Sequence, residues 1–228
     1  MADYDVAALG AGVAGLIAAL RTARSGRSVA LVTSHLLQPG DAPRIDAVPA
    51  QYLALLVELG VSPNAVGADL APPISRAAWE CAASQSTPGP QTAHVERPAL
   101  ELALLALLRR EHHATICFAP RLRPGQNLAA SSWRARKIID ASLPALSQMR
   151  ANKAKPASVQ WSEGPGLRIG DAALARDALS SQGLVAGSTE GLLAAAWEDE
   201  TDLRSIQARQ CEQRRAHLRS LLGTIERC

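Results

Sequence analysis

The sequence predicts an α/β fold: a mainly parallel sheet with helices on both faces and a helical C-terminal appendage. Three observations carry this. Between Tyr4 and Val32 the chain reads as strand, glycine turn, helix and strand. A second passage from strand through glycine to helix begins at Leu167. The composition is 47% hydrophobic yet 3% aromatic, so packing must rest on Ala, Leu and Val, which suits helices over parallel strands better than an all-β sandwich.

Length and charge narrow the function. A chain of 228 residues can bury a core without disulfides or metal. Cys81, Cys117, Cys211 and Cys228 lie far apart with no C-x-x-C pair, so neither a zinc ribbon nor a disulfide framework is expected, and a reduced, intracellular chain is. The net charge of +3 is small and dispersed, and stacking platforms are nearly absent, which argues against nucleic acid. The apolar run Val6 to Leu20 follows Asp3 and Asp5, where a secretory signal carries positive charge, and it is too short to span a bilayer. A soluble, cytoplasmic protein without a membrane span is the expectation.

Taken in order, Tyr4 to Leu9 is a short apolar run suited to a buried parallel strand. Gly10-Ala-Gly12-Val-Ala-Gly15 follows, then a helix from Val13 to Ser25 ended by Gly26, then a strand over Ser28 to Val32. This context makes the G-x-G-x-x-G a Rossmann-type nucleotide signature. Gly10 permits the tight turn, Gly12 lets backbone approach a pyrophosphate, and Gly15 allows close packing of helix on strand. The N–H groups at the helix start, around Val13 and Ala14, and the helix dipole then hold the phosphate. The acidic residue expected at the end of the second strand is missing, which leaves Thr33 and Ser34 as neutral partners for a ribose hydroxyl.

Residues 38–50 read as a Pro/Gly-punctuated loop containing Arg44 and Asp46. Arg44 is either a phosphate partner or a solvated loop residue, and both readings stay open. Ala50 to Leu59 regains helical periodicity, and 63–92 is loop-rich. Residues 98–110 form the clearest helix, with Pro98 in the first turn and Arg109 and Arg110 at the end. His94 and Arg97 sit where a loop meets that helix. The pair His112 and His113 has no partner at metal-ligand spacing, so no metal site is expected. A basic edge from Trp133 leads into a short strand, Lys137 to Ala141, and 147–163 reads as a connector.

Near the C-terminus, Leu167-Arg-Ile-Gly170-Asp171-Ala-Ala is followed by Asp177-Ala-Leu-Ser180-Ser181-Gln182-Gly183 and an Ala/Leu-rich helix from Leu184 to Trp197. Together with the N-terminal signature, these residues resemble the flavoprotein monooxygenase and flavin-dependent halogenase superfamily. The resemblance covers 1–60, 92–145 and 164–200. It implies FAD as cofactor, a ribityl contact from Asp171 beside Gly170, and the start of the helix at Ser181, Gln182 and Gly183 facing the flavin ring. A carboxylate suits a polyol, and helix-start N–H groups can stabilise the negative edge of a reduced flavin. Arg97, in His94-Val-Glu-Arg-Pro, is similar to the family's arginine ahead of its second long helix, commonly close to FAD. Ile139-Asp140-Ala-Ser142 is similar to the strand and turn that precede the second FAD contact, with Leu143 where glycine is usual. Ala178 replaces the family's usual proline.

The resemblance implies one FAD-binding domain over 1–200, in halves of about 1–145 and 164–200, with 201–228 as a C-terminal helix. Only about twenty residues separate Ser142 from Gly164, too few for the substrate-binding sheet the family carries there. The halogenase W-x-W-x-I-P motif is absent. Leu203, Ile206, Cys211, Leu218, Leu221 and Leu222 give the terminal helix an apolar face fit for a protein partner. The leading expectation is a small FAD-dependent oxidoreductase, monooxygenase-like, with NAD(P)H as a candidate electron donor. The alternative is a catalytically reduced FAD-domain accessory protein that binds a partner chain. An NAD-dependent dehydrogenase fits the first motif but leaves the second unexplained.

Overall fold

The computed structural model describes residues 2–34, 36, 44–71, 91–118, 133–142, 166–170, 182–199 and 201–212. Asp171, Ser181, Cys81, Cys228, the connector 147–163 and the tail beyond 212 lie outside the described residues, as does the side chain of Gln182. Five strands form a parallel sheet: β1 (Ala2–Leu9), β2 (Val29–Thr33), β6 (Ala114–Phe118), β7 (Trp133–Asp140) and β8 (Gly166–Arg168), in the order β6-β2-β1-β7-β8. A smaller antiparallel sheet sets β5 (Thr92–Glu96) between β3 (Ile45–Pro49) and β4 (Asp69–Ala71). The helices are α1 (Val13–Arg24), α2 (Tyr52–Glu58), α3 (Arg97–Leu108), α4 (Gln182–Ala196) and α5 over 201–212. None of the helices among the described residues is long and apolar enough to cross a membrane.

The period-2 alternation of strand side chains divides the core into two. Val6, Ala8, Val29, Leu31, Ile139 and Leu167 share one cluster with side chains from each of the helices α1 to α5. Ala7, Leu9, Ala30, Val32 and Ile138 form a second cluster on the opposite face, joined there by Tyr4, Cys117 and Ala135. The central strands are therefore buried on both sides, which explains why their sequences read as unbroken apolar runs. Helices were expected on both faces. Among the described residues they gather on one, and α1 lies at the centre of that layer between α3 and α4.

The α1–α4 contact depends on small residues. A Cβ at Gly191 would stand 2.7 Å from the Ala14 carbonyl oxygen and 3.3 Å from Ile17 Cγ2, and one at Gly187 would stand 3.4 Å from Ala14 Cβ. On α2, buried Tyr52 shares a 2.7 Å hydrogen bond with Ser188 of α4, whose hydroxyl donates to the Leu184 carbonyl. The far end of α4 is held by cations, as the carbonyl end of a helix favours. Arg27 donates to the Ala195 and Trp197 carbonyls. Lys137 donates to those of Trp197 and Glu198, and its ammonium lies 5.2 Å from the Trp197 ring centroid. Burial, then Arg27, lowers the affinity of Lys137 for its proton.

Several expectations are corrected. The loop assigned to 38–50 contains β3, and the loop-rich 63–92 contains a 3-10 turn at Pro63–Val66 and β4. His94 lies within β5 rather than in a loop, opposite Ala47 and Asp69. These short polar strands are made by pairing with one another, a non-local term that no local pattern reports. The strand expected at Lys137 to Ala141 starts at Trp133, because the basic edge pairs with the first residues of β1. Of the apolar residues expected on the terminal helix, Ile206 is buried, Leu203 packs against the core and Cys211 is exposed, while Leu218, Leu221 and Leu222 lie outside the described residues.

Two stability outcomes follow. Gly191→Val forces α4 off α1 and should cost about 1–3 kcal/mol, read as a lowered Tm. Tyr52→Phe removes one buried hydrogen bond but leaves Ser188 bonded to Leu184, so urea unfolding should show a loss of about 1 kcal/mol with an unchanged slope.

Candidate functional site

In the parallel sheet the chain runs outward from β1 through β2 to β6 on one side and through β7 to β8 on the other. The direction reverses between β1 and β7, and in open α/β sheets ligands bind beyond the carboxyl ends of strands at such a point. Those ends are Leu9 and Asp140, paired in register, and the Ala141 N–H donates to the Leu9 carbonyl at 2.9 Å. Gly10 follows with φ +97° and donates its N–H to the Val32 carbonyl at 2.8 Å. A Cβ at Gly10 would lie 2.8 Å from the Ala141 carbonyl oxygen, and one at Gly15 would lie 2.0 Å from the Gly10 oxygen. The first and third glycines thus seat α1 directly on the strand ends.

Gly12 is different. It is the N-cap of α1, in extended conformation, with no side-chain cap and no acidic residue in the first turn. A Cβ there would meet nothing within 4 Å among the described residues. The helix start is open at the residue where backbone must approach a phosphate, and its N–H groups carry the positive end of the dipole. Thr33, buried, and Ser34, exposed, stand at the carboxyl end of β2 beside the same turn.

The C-terminal motif comes to the same place. Ile169 donates its N–H to the Asp140 carbonyl at 2.9 Å, and Gly170 turns the chain with φ +60° so that its own Cβ position lies 3.1 Å from Ala14 Cβ. Its N–H donates to Glu190 Oε2 at 2.7 Å, and Glu190 on α4 is 3% exposed. Gly183 lies in the first turn of α4. Asp140 is a structural acid: its Oδ1 accepts the Ser142 N–H at 3.0 Å and hydroxyl at 2.5 Å, closing a local turn, and Oδ2 is 3.7 Å from Arg168 Nε.

A charged cluster completes the site. Arg97 is the first residue of α3; its N–H donates to the Arg44 carbonyl at 2.8 Å and its Nε to Asp46 Oδ2 at 2.5 Å. The two loop-edge arginines of the sequence are thus brought together. Glu101, one turn along the same face of α3, is half-buried near Arg97, Arg44, Asp46 and the start of α1. Burial pushes the Glu101 carboxyl up to about 7; Arg97 and Arg44 pull it down and Asp46 adds to the rise. Tyr52 borders the cluster, and burial pushes its phenol up to about 12.

Sequence reading missed Glu101, Glu190, Gly187 and Gly191. The G-x-x-x-G spacing of the last two was a readable signal of close helix packing. The acids carried none, because only the fold brings them to the start of α1 and to Gly170. Cys117 on β6 is half-buried, and burial raises its thiol, so it is no activated nucleophile. Among the described residues no group of His, Cys, Asp and Glu has the arrangement of a metal site.

No family model and no curated protein sequence matches the chain. Solved structures do. The crystal structure of PqsL, a probable FAD-dependent monooxygenase from Pseudomonas aeruginosa, superposes with a TM-score of 0.67 at 11% identity over 94% of this chain and 93% of that one. A geranylgeranyl bacteriochlorophyll reductase-like protein from Thermoplasma acidophilum gives 0.64 at 12% identity, covering 100% of this chain and 88% of the other. A flavin-dependent brominase gives 0.61 at 11% identity over 91% and 83%. At such identities the likeness is one of backbone architecture: the chain shares the fold of these solved structures.

Proposed function

We propose that the chain is an FAD-binding oxidoreductase of the monooxygenase type, with NAD(P)H as electron donor. The observation that carries this reading is the meeting of two motifs from opposite ends of the chain at Ala14, where the Gly10–Gly15 turn and the Gly170 turn touch. An NAD-binding domain needs the first motif alone, whereas a flavin with its ribityl chain needs contacts on both sides of the switch point. The donor set suits FAD: an open, uncapped helix start for the diphosphate, two arginines beside it, and hydroxyls at the end of β2 for the adenosine ribose.

In this reading the N–H groups at Gly12, Val13 and Ala14 hold the diphosphate, and Arg97, oriented by Asp46, supplies positive charge together with Arg44. Thr33 and Ser34 serve the ribose. Glu190 holds the Gly170 N–H and thereby sets the exit of the chain towards Asp171, the proposed ribityl partner. Gln182 and Gly183, with Ser181 before them, present the start of α4 to the ring system. Bound FAD supplies the two-electron redox chemistry; the protein orients it and shapes the field around it. One domain, in halves of about 1–145 and 164–200 joined through β7 and β8, contains all these residues.

Titration with FAD should give a saturable one-to-one complex with quenched flavin fluorescence, much tighter than that with NAD, and the loaded protein should bleach on adding NADPH under anaerobic conditions. Absence of FAD binding would overturn the reading. Gly12→Val points a side chain into the open helix start without a steric conflict in the protein. It should weaken FAD binding about tenfold or more, equivalent to about 1.4 kcal/mol, while the change from Gly to Val at the N-cap lowers stability by about 1 kcal/mol or less.

A further inference from the structure

The segment that carries the second motif is thinly held by the sheet. β8 is three residues long and stands at the edge, paired with β7, and the side-chain amide of Gln210 on α5 donates to its Arg168 carbonyl at 2.7 Å. The last ladder bond runs from the Ile169 N–H to the Asp140 carbonyl at 2.9 Å, after which the chain turns at Gly170 with φ +60°. The Gly170 N–H has left the sheet and is taken by Glu190 Oε2 at 2.7 Å, in a buried contact. Glu190 is 3% exposed, and Gly187 and Gly191 flank it where α4 meets α1. A carboxylate buried this deeply is costly unless it is hydrogen-bonded, and an apolar side chain would cover the turn without that cost. Its place under the turn is therefore that of an acceptor. Gly183 and Glu190 are seven residues apart on α4, so they share one face, about 10 Å apart along the axis.

We propose that Glu190 is the positioning residue of the flavin half of the site: by tying the Gly170 turn to α4 it makes the chain entering Asp171 and the helix start at Gly183 one rigid unit, and so sets the preference for FAD over ADP. The inference rests on the FAD reading above and deepens it. The two halves of the cofactor meet different parts of the protein. The start of α1, the end of β2, Arg97 and Arg44 serve the adenosine diphosphate, and no residue of that set lies on α4. The residues for the ribityl chain and the ring stand on either side of the bond between Gly170 and Glu190. Without that acceptor the Gly170 N–H is left buried and unpaired, and the chain relaxes at glycine, where the backbone is least restrained. The flavin half then loses its alignment while the adenosine half keeps its own.

Parallel titrations with FAD and with ADP separate the two halves. Glu190→Leu should weaken FAD binding about tenfold or more, the consequence of one lost charge-assisted hydrogen bond, and leave ADP binding within about twofold of wild type. Glu190→Gln keeps an oxygen acceptor of the same reach and should restore most of the FAD affinity. Glu190→Asp keeps the buried charge but draws the acceptor back by one methylene, so it should show the same split as Glu190→Leu and stands in for it where the leucine variant does not fold. The visible circular dichroism of bound flavin should change in Glu190→Asp and match wild type in Glu190→Gln. A merely structural role predicts something else: FAD and ADP weaken together, in step with Tm. Equal loss of both ligands, no loss of either, or Glu190→Gln as weak for FAD as Glu190→Leu overturns the role of Glu190 alone. Failure of the wild type to bind FAD overturns the FAD reading and this inference with it.

Discussion

The architecture depends on how closely the first two turns of α1 approach their neighbours. Gly15 lies over the Gly10 carbonyl, Ala14 touches the Gly170 turn, and Ala14, Ile17 and Ala18 meet Gly187 and Gly191 of α4. Each contact is set at van der Waals distance by a missing or minimal side chain, and protein interiors have little slack to absorb a larger one. Because α1 is seated on the carboxyl ends of β1 and β7, its N–H groups point across the switch point. A helix held further off by ordinary side chains would aim the same dipole elsewhere.

That packing has an electrostatic consequence. Drawing α1, α3 and the edge of the small sheet together crowds Glu101, Arg97, Asp46 and Arg44 around one helix start. The cluster's two arginines and two acids nearly balance, so the positive potential at the helix start comes from the helix itself. The opposite end of the sheet behaves differently. There Arg27 and Lys137 are spent on the terminal carbonyls of α4, which anchors the helix whose first turn faces the site. Cations at the carbonyl end stabilise and orient the helix, whereas Arg97 is paired with Asp46.

Much of this was legible from the chain. The βαβ unit, the tight turn at Gly10, the close packing at Gly15, and helices at 98–110 and 184–197 follow from local rules of period, glycine placement and helix ends, and all are present with shifts of one or two residues at most boundaries. β5 carried a readable alternation, with Ala93 and Val95 buried between Thr92, His94 and Glu96, although it adjoins a segment dense in turn residues. β3 and β4 had no such pattern, since they are short and polar and exist by pairing with β5.

By itself the sequence determined the elements whose information is local, and its first glycine motif determined how closely α1 sits on the strand ends. Tertiary structure decided which distant residues share a boundary. It put Gly170 on Ala14, Glu190 on the Gly170 N–H, Glu101 near the start of α1, and Leu203 and Ile206 against the core. The reason is that a carboxylate's partner and a helix face's occupant are set by long-range packing, which composition and periodicity along the chain do not encode pairwise.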